Sequence, residues 1–370
     1  MGKVKHFILY LLLILSIAAC TSRGENSETS KIQDQPLNII LLIGDGMGLS
    51  AVSSSFYFNE DKTNFTRFKY IGLMKTSSAL HKITDSGAAG TAMATGNKSY
   101  NGVVGMTMEK LIIENISEIL SEKGYSTGLI ATSSITHATP AAFYAHVPSR
   151  NQEEEIANQL VHSGIDFFAG GGLDFFIKRK DDKNLLTDFS ENSFIIETTN
   201  LIFNNEISID KKYGFLLAPE YMPRMLDGRG DFLPDATRMA LEYLSLNKKG
   251  FFLMVEGSQI DWGGHEKDAD YLIAELIDFD HAIGVALDFA EKHGNTLVIV
   301  TADHETGGFA LASKGGDGME SDYDIIAPAF ATDSHTATLV PVFALGPGSE
   351  TFIGVYEIME IYHKMLNLTK

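Results

Sequence analysis

Short, almost continuous apolar runs recur along the chain after residue 36, with amphipathic stretches between them. The four clearest runs cover residues 38–43, 126–132, 251–255 and 296–301. A strand that helices cover on both faces has this pattern, because neither of its faces meets water. The sequence therefore predicts a three-layer α/β/α sandwich around a large, mostly parallel central sheet.

Two amphipathic stretches predict helices that pack on this sheet. In residues 109–123, apolar side chains recur at helical spacing, and Gly124 stands where a helix commonly ends. Residues 270–293 repeat this pattern, and Gly294 follows them. Both stretches are interpreted as helices that face the core.

Residues 37–370 are predicted to form one large domain. The chain has 370 residues, 44% of them apolar, which is enough to bury a large core. Two regions are less regular than the rest. Residues of about 178–229 are interpreted as an insertion beside the main sheet, and those of about 314–333 as a surface loop. Neither region has the pattern of an independent domain.

The N-terminal segment has the pattern of an export signal. Two lysines precede an apolar run at residues 7–17, which is too short to span a bilayer comfortably, and Ala18-Ala19-Cys20 follows. We predict a signal peptide at residues 1–19. The expected location is the periplasm or, through a lipid anchor, the outer membrane of a bacterium.

Cys20 is the only cysteine of the chain, so no disulfide within the chain is possible. The residues around it resemble a bacterial lipobox, which would make Cys20 the lipidated first residue of the mature protein. Cleavage by an ordinary signal peptidase is the alternative. Residues 20–36 are then a flexible polar tether, and the membrane is a partner only through the anchor.

The net charge of −19 and the pI of about 4.9 disfavour long-range attraction to nucleic acid or to anionic membranes. Nucleic acid is therefore not expected as a binding partner. An anionic substrate must meet a local positive field.

Carboxylates follow several predicted strands at the point where each strand ends. Asp45, Glu256 and the pair Asp303-His304 occupy such positions. The carboxyl ends of parallel strands form a common ligand crevice, so these groups are predicted to converge. An aspartate after a strand is also a common helix N-cap, which is the alternative interpretation of Asp45.

Asp261 and His265 lie four residues apart, which on a helical turn places both side chains on one face. A solvated surface pair has the same spacing. Converging carboxylates repel one another unless cations neutralise them, so together these residues predict metal binding. Mixed imidazole and carboxylate ligands suit zinc, and an all-oxygen set suits magnesium.

Ser86 begins a stretch of small residues, Ser86-Gly87-Ala88-Ala89-Gly90-Thr91-Ala92. A serine at the start of a helix can receive a phosphate against the backbone N–H groups and the positive end of the helix dipole. Close packing between helices also selects small residues, and these residues alone do not decide between the two.

Six motifs in this order resemble those of the alkaline phosphatase family, over the chain from about Asn38 to its end. They are Gly44-Asp45-Gly46-Met47-Gly48, Thr84-Asp85-Ser86, Ala138-Thr139-Pro140-Ala141-Ala142 with Ser149-Arg150, Val255-Glu256-Gly257 through Asp261 and His265, Thr301-Ala302-Asp303-His304, and Ser334-His335-Thr336.

The resemblance implies hydrolysis of small-molecule phosphate monoesters at a site with two Zn²⁺ and one Mg²⁺, and it suggests a homodimer. It also implies a role for each matching residue. Ser86 is the nucleophile, which forms a phosphoserine intermediate, and Arg150 binds the phosphate. The implied ligands are Asp261, His265 and His335 for one zinc, Asp45, Asp303 and His304 for the other, and Asp45, Thr139 and Glu256 for magnesium.

Two positions depart from the enterobacterial pattern of this family. His137 stands where an aspartate lies near the magnesium, so it is expected in the outer shell of the third site, and it puts the identity of that metal in doubt. Trp262 stands where a lysine lies near the phosphate, so it is expected on the phosphate side of the site. His146 is interpreted as a hydrogen-bonded structural histidine.

Two other functions remain open from the sequence. A phosphodiesterase, sulfatase or phosphoglycerate mutase could use the same scaffold, although Ser86 lacks the sequence context of a sulfatase nucleophile. A non-enzymatic lipoprotein that stores zinc or captures phosphate would need the metal ligands and Arg150, but not Ser86. Comparing the hydrolysis of a monoester with that of a diester tests the first alternative, and stable phosphate binding without turnover in the zinc-loaded protein would favour the second.

Overall fold

A ten-stranded sheet forms the centre of the molecule. The computed structural model describes residues 37–203, 206–316 and 319–369, without the side chains of residues 316 and 319. The predicted signal peptide, Cys20 and the tether lie outside these residues and stay predictions.

Fourteen strands occur in the described residues. They are β1 (Asn38–Gly44), β2 (Tyr70–Lys75), β3 (Ser126–Ser134), β4 (Phe167–Gly171), β5 (Phe194–Glu197), β6 (Lys212–Leu216), β7 (Phe251–Gly257), β8 (Thr296–Thr301), β9 (Glu305–Thr306), β10 (Ala310–Gly316), β11 (Met319–Ala329), β12 (His335–Thr336), β13 (Val340–Leu345) and β14 (Gly354–Glu357).

Eleven α-helices occur in the same residues. They are α1 (Leu49–Phe58), α2 (Ser86–Thr95), α3 (Ile116–Glu122), α4 (Ala138–Ala141), α5 (Glu153–His162), α6 (Leu173–Ile177), α7 (Leu185–Glu191), α8 (Phe232–Leu244), α9 (Gln259–Glu266), α10 (Ala269–His293) and α11 (Glu360–Leu368). None of the helices in the described ranges combines the length and the apolarity that crossing a bilayer requires.

The order of the strands in the main sheet is β14-β2-β13-β8-β1-β7-β3-β4-β6-β5. Strand β13 runs antiparallel to both of its neighbours, and the other strand pairs are parallel. With helices as its outer layers, the sheet is the centre of an α/β/α sandwich, which confirms the predicted fold class.

The four predicted core strands are confirmed as β1, β3, β7 and β8. Every residue of each of these strands is buried. Burial on both faces explains why their sequences are continuous rather than alternating apolar runs. The hydrophobic effect of this central layer fixes the strand ends in space, and those ends carry the predicted site.

The helix predicted over residues 109–123 forms only in its second half, as α3. Asn115 is the N-cap of this helix. Its side chain accepts from the backbone N–H of Glu118, and the carboxylate of Glu118 accepts from the backbone N–H of Asn115. This capping box places the helix start, and the apolar residues before it, Leu111 and Ile112, are exposed. The second predicted helix is confirmed as α10, which Gly294 ends in the left-handed conformation.

The two less regular regions are more ordered than their sequences indicate. The region of about 178–229, predicted to lie beside the main sheet, supplies β5 and β6 and so extends one edge of that sheet. The region of about 314–333, predicted to be a loop, is largely the antiparallel pair of β10 and β11. The described side chains of this pair are half-buried or exposed, and Leu311 packs against the edge of the core.

Candidate active site

The parallel register of the central strands brings three carboxylates to one edge of the sheet. Strand β1 pairs with β7 so that Ile43 lies opposite Glu256, and it pairs with β8 so that Ile43 lies opposite Thr301. Asp45 and Asp303 each stand two residues beyond this common level. The predicted convergence of the strand ends therefore follows from the sheet topology.

Asp45, Asp303 and His304 form the first cluster and are fully buried. The Nε2 atom of His304 lies 3.1 Å from Asp303 Oδ2 and 3.6 Å from Asp45 Oδ1. It also lies 3.3 Å from the hydroxyl oxygen of Ser86. Backbone N–H groups of Gly46 and His304 donate to Asp303 Oδ1 and hold that carboxylate in place. The cluster thus surrounds the hydroxyl of Ser86 with potential metal ligands.

Asp261, His265 and His335 form the second cluster. The Nε2 atoms of His265 and His335 lie 3.1 Å apart, and they lie 3.3 Å and 3.6 Å, respectively, from the carboxylate oxygens of Asp261. The Nδ1 atom of His265 faces the carbonyl of Asp333 at 2.6 Å, and that of His335 faces the carbonyl of Thr84 at 2.9 Å. A carbonyl only accepts, so both Nδ1 atoms carry hydrogen. Both Nε2 atoms point inward, where each could bind a metal ion once it is deprotonated.

The second cluster is electrostatically linked to the first. Burial alone would raise the pKa of Asp261, but the hydrogen bond with His265 and the nearby histidine charges hold it well below its usual range. In turn, the hydrogen bond with Asp261 raises the pKa of His265 to about 9. Thr306 donates to Asp261 and lies 3.3 Å from Nδ1 of His304. Protons and a cation therefore compete for the same inward-facing nitrogens.

A third cluster joins Asp45, Glu256 and His137. Glu256 Oε2 accepts from Ser258 at 2.5 Å and from Ser133 at 3.3 Å, which orients its other oxygen toward the cluster. Thr139, on α4, is fully buried and is the residue that the family resemblance adds to this set.

Buried polar atoms without a hydrogen-bond partner are concentrated in these clusters. Six of the thirteen such side-chain atoms in the described residues lie here. They are Asp45 Oδ1 and Oδ2, His137 Nδ1, Thr139 Oγ1, Glu256 Oε1 and Asp303 Oδ2. Each unpaired buried polar atom is unfavourable, and several of them around one point fit a bound cation. The donor set is therefore suited to metal ions.

The pKa shifts of Asp45 and Glu256 also indicate a site for cations. Burial and the charges of Asp303, Asp261 and Glu256 raise the pKa of Asp45 well above its usual value. Burial also raises the pKa of Glu256 to about 7, against the hydrogen bond that Ser258 donates. Divalent cations would remove this repulsion and keep the carboxylates ionised at neutral pH.

Ser86 is the first residue of α2, and Asp85 caps that helix. Asp85 Oδ1 accepts from the backbone N–H groups of Ala88 at 3.0 Å and Gly102 at 2.9 Å. Its other oxygen accepts from the guanidinium of Arg150 at 3.1 Å. Asp85 thus ties the helix start, with its free N–H groups, to the predicted phosphate-binding arginine.

His137 is placed between Arg150 and the third cluster. A guanidinium only donates, so the 2.8 Å contact makes His137 Nε2 the acceptor and leaves hydrogen on Nδ1. Burial and the charge of Arg150 lower the pKa of His137 to about 3, so its ring is neutral. In this geometry the histidine presents a donor to the third cluster rather than a lone pair.

Trp262 is half-buried beside His137, with the ring centroids 6.4 Å apart in an edge-to-face arrangement. Its other neighbour is Tyr221, at 5.0 Å and also edge-to-face. All twelve residues predicted for the site thus lie in or next to the three clusters.

Asp85, Thr306 and Tyr221 were not predicted as site residues. Asp85 had a usable signal, because an aspartate before a helix of small residues has the pattern of an N-cap. Thr306 and Tyr221 had none, since their positions depend on how distant segments cross.

We predict that the contribution of His146 to the stability of the fold decreases as the pH becomes alkaline. Its Nδ1 lies 2.8 Å from the carbonyl of Gly105, and its Nε2 lies 2.9 Å from a carboxylate oxygen of Glu118. Both partners accept, so both nitrogens carry hydrogen and the ring is a cation; these hydrogen bonds raise its pKa despite burial.

A histidine with a raised pKa stabilises the folded state fully below its unfolded pKa of about 6.5, and this contribution is lost as the pH rises through the folded pKa. We expect His146→Gln to lower the free energy of unfolding by about 1 kcal/mol at pH 6 and by less at pH 9. Urea unfolding at both pH values measures this change in the free energy of unfolding. His162→Gln, at an exposed histidine, is the control. An equal loss at both values of pH would show that the ring is neutral.

Comparisons with known proteins place these residues in a family context. Residues 37–323 match the family described as alkaline phosphatase. Alkaline phosphatase 4 of Bacillus subtilis is 40% identical over 295 residues, which are 75% of this chain and 63% of that relative. The chain thus spans less than two thirds of the length of this curated relative.

Two solved structures match this chain over nearly the whole of their own length. The alkaline phosphatase from the Antarctic bacterium TAB5 is 54% identical, with a TM-score of 0.88, and the match covers 90% of this chain and 98% of that one. A TAB5 variant in which a histidine is replaced by aspartate, with Mg bound in its M3 site, is 55% identical, with the same TM-score and coverage.

Proposed function

Because this chain belongs to the alkaline phosphatase family, we propose that it hydrolyses phosphate monoesters, with Ser86 as the nucleophile. The observation that carries the proposal is the position of the Ser86 hydroxyl. It lies 3.3 Å from His304 Nε2, beside two buried carboxylates, at the start of a helix whose cap also binds Arg150. Nucleophile, anion-binding helix end and arginine therefore occupy one site.

The phosphate is held by groups of the chain that offset its strong negative charge. The N-terminus of α2 offers backbone N–H groups and the positive end of the helix dipole. Arg150 can donate to two phosphate oxygens with its planar fork, a geometry that lysine lacks. Asp85 keeps the guanidinium turned toward the helix start. Together they supply the local positive field that an acidic protein needs to bind an anion.

The reaction proceeds by a double displacement at phosphorus. The oxygen of Ser86 forms a bond to phosphorus while the bond to the alcohol oxygen breaks, which gives a phosphoserine and the free alcohol. Water then cleaves the phosphoserine and releases inorganic phosphate. Both displacement steps occur at one fixed position of the phosphoryl group. Arg150 would therefore bind the same phosphoryl oxygens in both steps.

We assign two zinc ions and one magnesium ion to the three clusters. Asp45, Asp303 and His304 would hold one zinc. Asp261, His265 and His335 would hold the other, since the facing nitrogens of both histidines lie within 3.6 Å of the Asp261 carboxylate and both sets mix imidazole with carboxylate. Asp45, Thr139 and Glu256 would hold magnesium, which prefers oxygen ligands. When bound, these ions supply Lewis-acid stabilisation of the charged oxygens at phosphorus.

The third site includes His137, which stands where the enterobacterial pattern of the family has an aspartate. Its Nδ1–H points into the cluster as a donor, so we propose that it acts through a water molecule rather than as a direct ligand. The hydrogen bond between Arg150 and His137 Nε2, which leaves the hydrogen on Nδ1, supports this outer-shell role. A TAB5 variant with aspartate in place of a histidine is described with Mg bound in its M3 site.

Chelation of divalent cations tests the metal requirement. Hydrolysis of p-nitrophenyl phosphate is expected to disappear in chelator and to return when zinc and magnesium are added back, because the clustered carboxylates need cations to stay ionised and ordered. Elemental analysis is expected to give two zinc ions and one magnesium ion per chain. Undiminished hydrolysis in chelator would exclude the metal mechanism.

The same assay with bis(p-nitrophenyl) phosphate tests the substrate class. The monoester is expected to react faster, since Arg150 and the helix start are suited to a terminal phosphate dianion. Faster turnover of the diester would assign the chain to diester hydrolysis instead. Tight binding of inorganic phosphate without turnover of either ester would indicate a phosphate-binding protein.

A further inference from the structure

An exposed aromatic side chain, Tyr221, extends the site outward from the phosphate-binding arginine. Arg150 contacts His137 at 2.8 Å, the ring of His137 lies 6.4 Å from that of Trp262, and Trp262 lies 5.0 Å from Tyr221. Three side-chain contacts thus join Tyr221 to Arg150. They place an exposed aromatic ring at the border of the predicted phosphate-binding residues.

The backbone around Tyr221 is held in place, whereas much of its ring is exposed to solvent. The N–H of the next residue, Met222, donates to Thr132 of β3 at 3.2 Å, and the side chain of Gln259 donates to the carbonyl of Met222 at 2.7 Å. A Cβ atom on Gly171 would lie 2.6 Å from the Cα of Tyr221, so the backbone packs closely there. The side chain is nevertheless 53% exposed. A rigid backbone thus presents an aromatic surface to solvent.

Neighbouring rings in this series stand nearly perpendicular to each other. The planes of Tyr221 and Trp262 are inclined by 80°, and those of Trp262 and His137 by 79°. Perpendicular rings form a corner, in which a further flat group can stack on one ring and meet the edge of the other. An aliphatic alcohol gains little from such a surface, whereas an aryl group or a nucleobase can stack on it.

We propose that Tyr221 and Trp262 form a subsite for aromatic leaving groups, so that the protein prefers aryl and nucleoside monophosphates to small aliphatic phosphate esters. This inference rests on the proposed phosphomonoesterase activity and names the class of ester for which the site is built. The phosphate contacts are common to all monoesters. The exposed ring of Tyr221 would contact the alcohol part, which differs between monoesters, and would therefore set the preference among them.

Tyr221→Ala in the full-length, metal-loaded protein tests the subsite. Loss of a stacking surface is expected to lower kcat/KM for adenosine 5′-monophosphate by about tenfold, mainly through KM. The value for glycerol 3-phosphate and the inhibition constant of inorganic phosphate are expected to change by less than about twofold. Tyr221→Phe retains the ring and is expected to keep the preference.

Tyr323→Ala is the matched control, because that tyrosine is 85% exposed on β11 and has no ring contact among the described residues. It is expected to leave the ratio of the two kcat/KM values unchanged. If the unaltered protein hydrolyses both esters and Tyr221→Ala leaves their ratio unchanged, or lowers both equally, the subsite does not exist. If the unaltered protein hydrolyses neither ester, the proposed activity itself is wrong.

Discussion

Replacing Ser86 with alanine is expected to lower the turnover of p-nitrophenyl phosphate by roughly 10⁴-fold or more. The variant lacks the oxygen that attacks phosphorus in the proposed mechanism. Thr84 has the nearest hydroxyl in sequence, but that hydroxyl donates to the carbonyl of Asp85. Initial rates at saturating zinc and magnesium measure the effect.

Two measurements separate lost chemistry from lost structure in Ser86→Ala. The variant is expected to bind inorganic phosphate and to keep its metal content, because Arg150 and the clustered ligands are unchanged. Ser54→Ala is the control: that serine is also buried in a helix, but it donates to the carbonyl of Ala51 and belongs to none of the clusters. It is expected to keep nearly full activity. More than a tenth of the normal rate in Ser86→Ala would place the nucleophile elsewhere.

The core of the fold could be predicted because burial on both faces leaves a clear pattern. Each of the four central strands is a short apolar run, which is typical of a strand buried on both faces. The same pattern indicated where the strands end, and so where the carboxylates meet. The prediction of the sheet therefore included the position of the site.

The failed predictions concern elements whose formation depends on hydrogen bonds rather than on apolar spacing. Leu111 and Ile112 continue the helical spacing of α3, but the capping box of Asn115 and Glu118 starts the helix after them. Strands β10 and β11 are held by backbone pairing on the surface, with register shifts along their length. Neither arrangement leaves a periodic signal in the sequence.

Within the site, the predictable residues are those that the sheet itself positions. Asp45, Glu256 and Asp303 belong to strand ends, so their meeting follows from the topology. The contacts from Arg150 through His137 and Trp262 to Tyr221 join segments from four different parts of the chain. Such contacts depend on side-chain packing, which a pattern along one chain does not record.

The segment after Tyr221 is fastened to α10 by a buried ion cluster. The side chain of Arg229 is fully buried, and it donates to Glu275 and, at 2.7 Å, to Asp278. Its guanidinium also donates to the carbonyl of Pro223 at 3.1 Å. Burial raises the pKa of both carboxyl groups, and the charge of Arg229 opposes this shift. The arginine is therefore the group that allows two buried carboxylates to stay ionised.

Arg229→Leu is expected to lower the free energy of unfolding by about 3–5 kcal/mol at pH 7, because it leaves two uncompensated charges in the interior. Without the arginine, the pKa of Glu275 and of Asp278 in the folded state rises further above the unfolded value. Their ionisation then opposes folding increasingly as the pH rises above the unfolded pKa, so the loss is expected to be smaller at pH 5 than at pH 7. Urea unfolding with zinc and magnesium present, at both values of pH, measures these differences.

Arg238→Leu is the matched control, since Arg238 pairs with Asp235 on the exposed face of α8. A solvent-exposed pair is worth less than about 1 kcal/mol, and its loss should depend little on pH in this range. Adding Glu275→Gln to Arg229→Leu is expected to recover part of the stability, because one of the two stranded charges is removed. Equal losses in Arg229→Leu and Arg238→Leu would show that the buried cluster does not hold the Tyr221 segment in place.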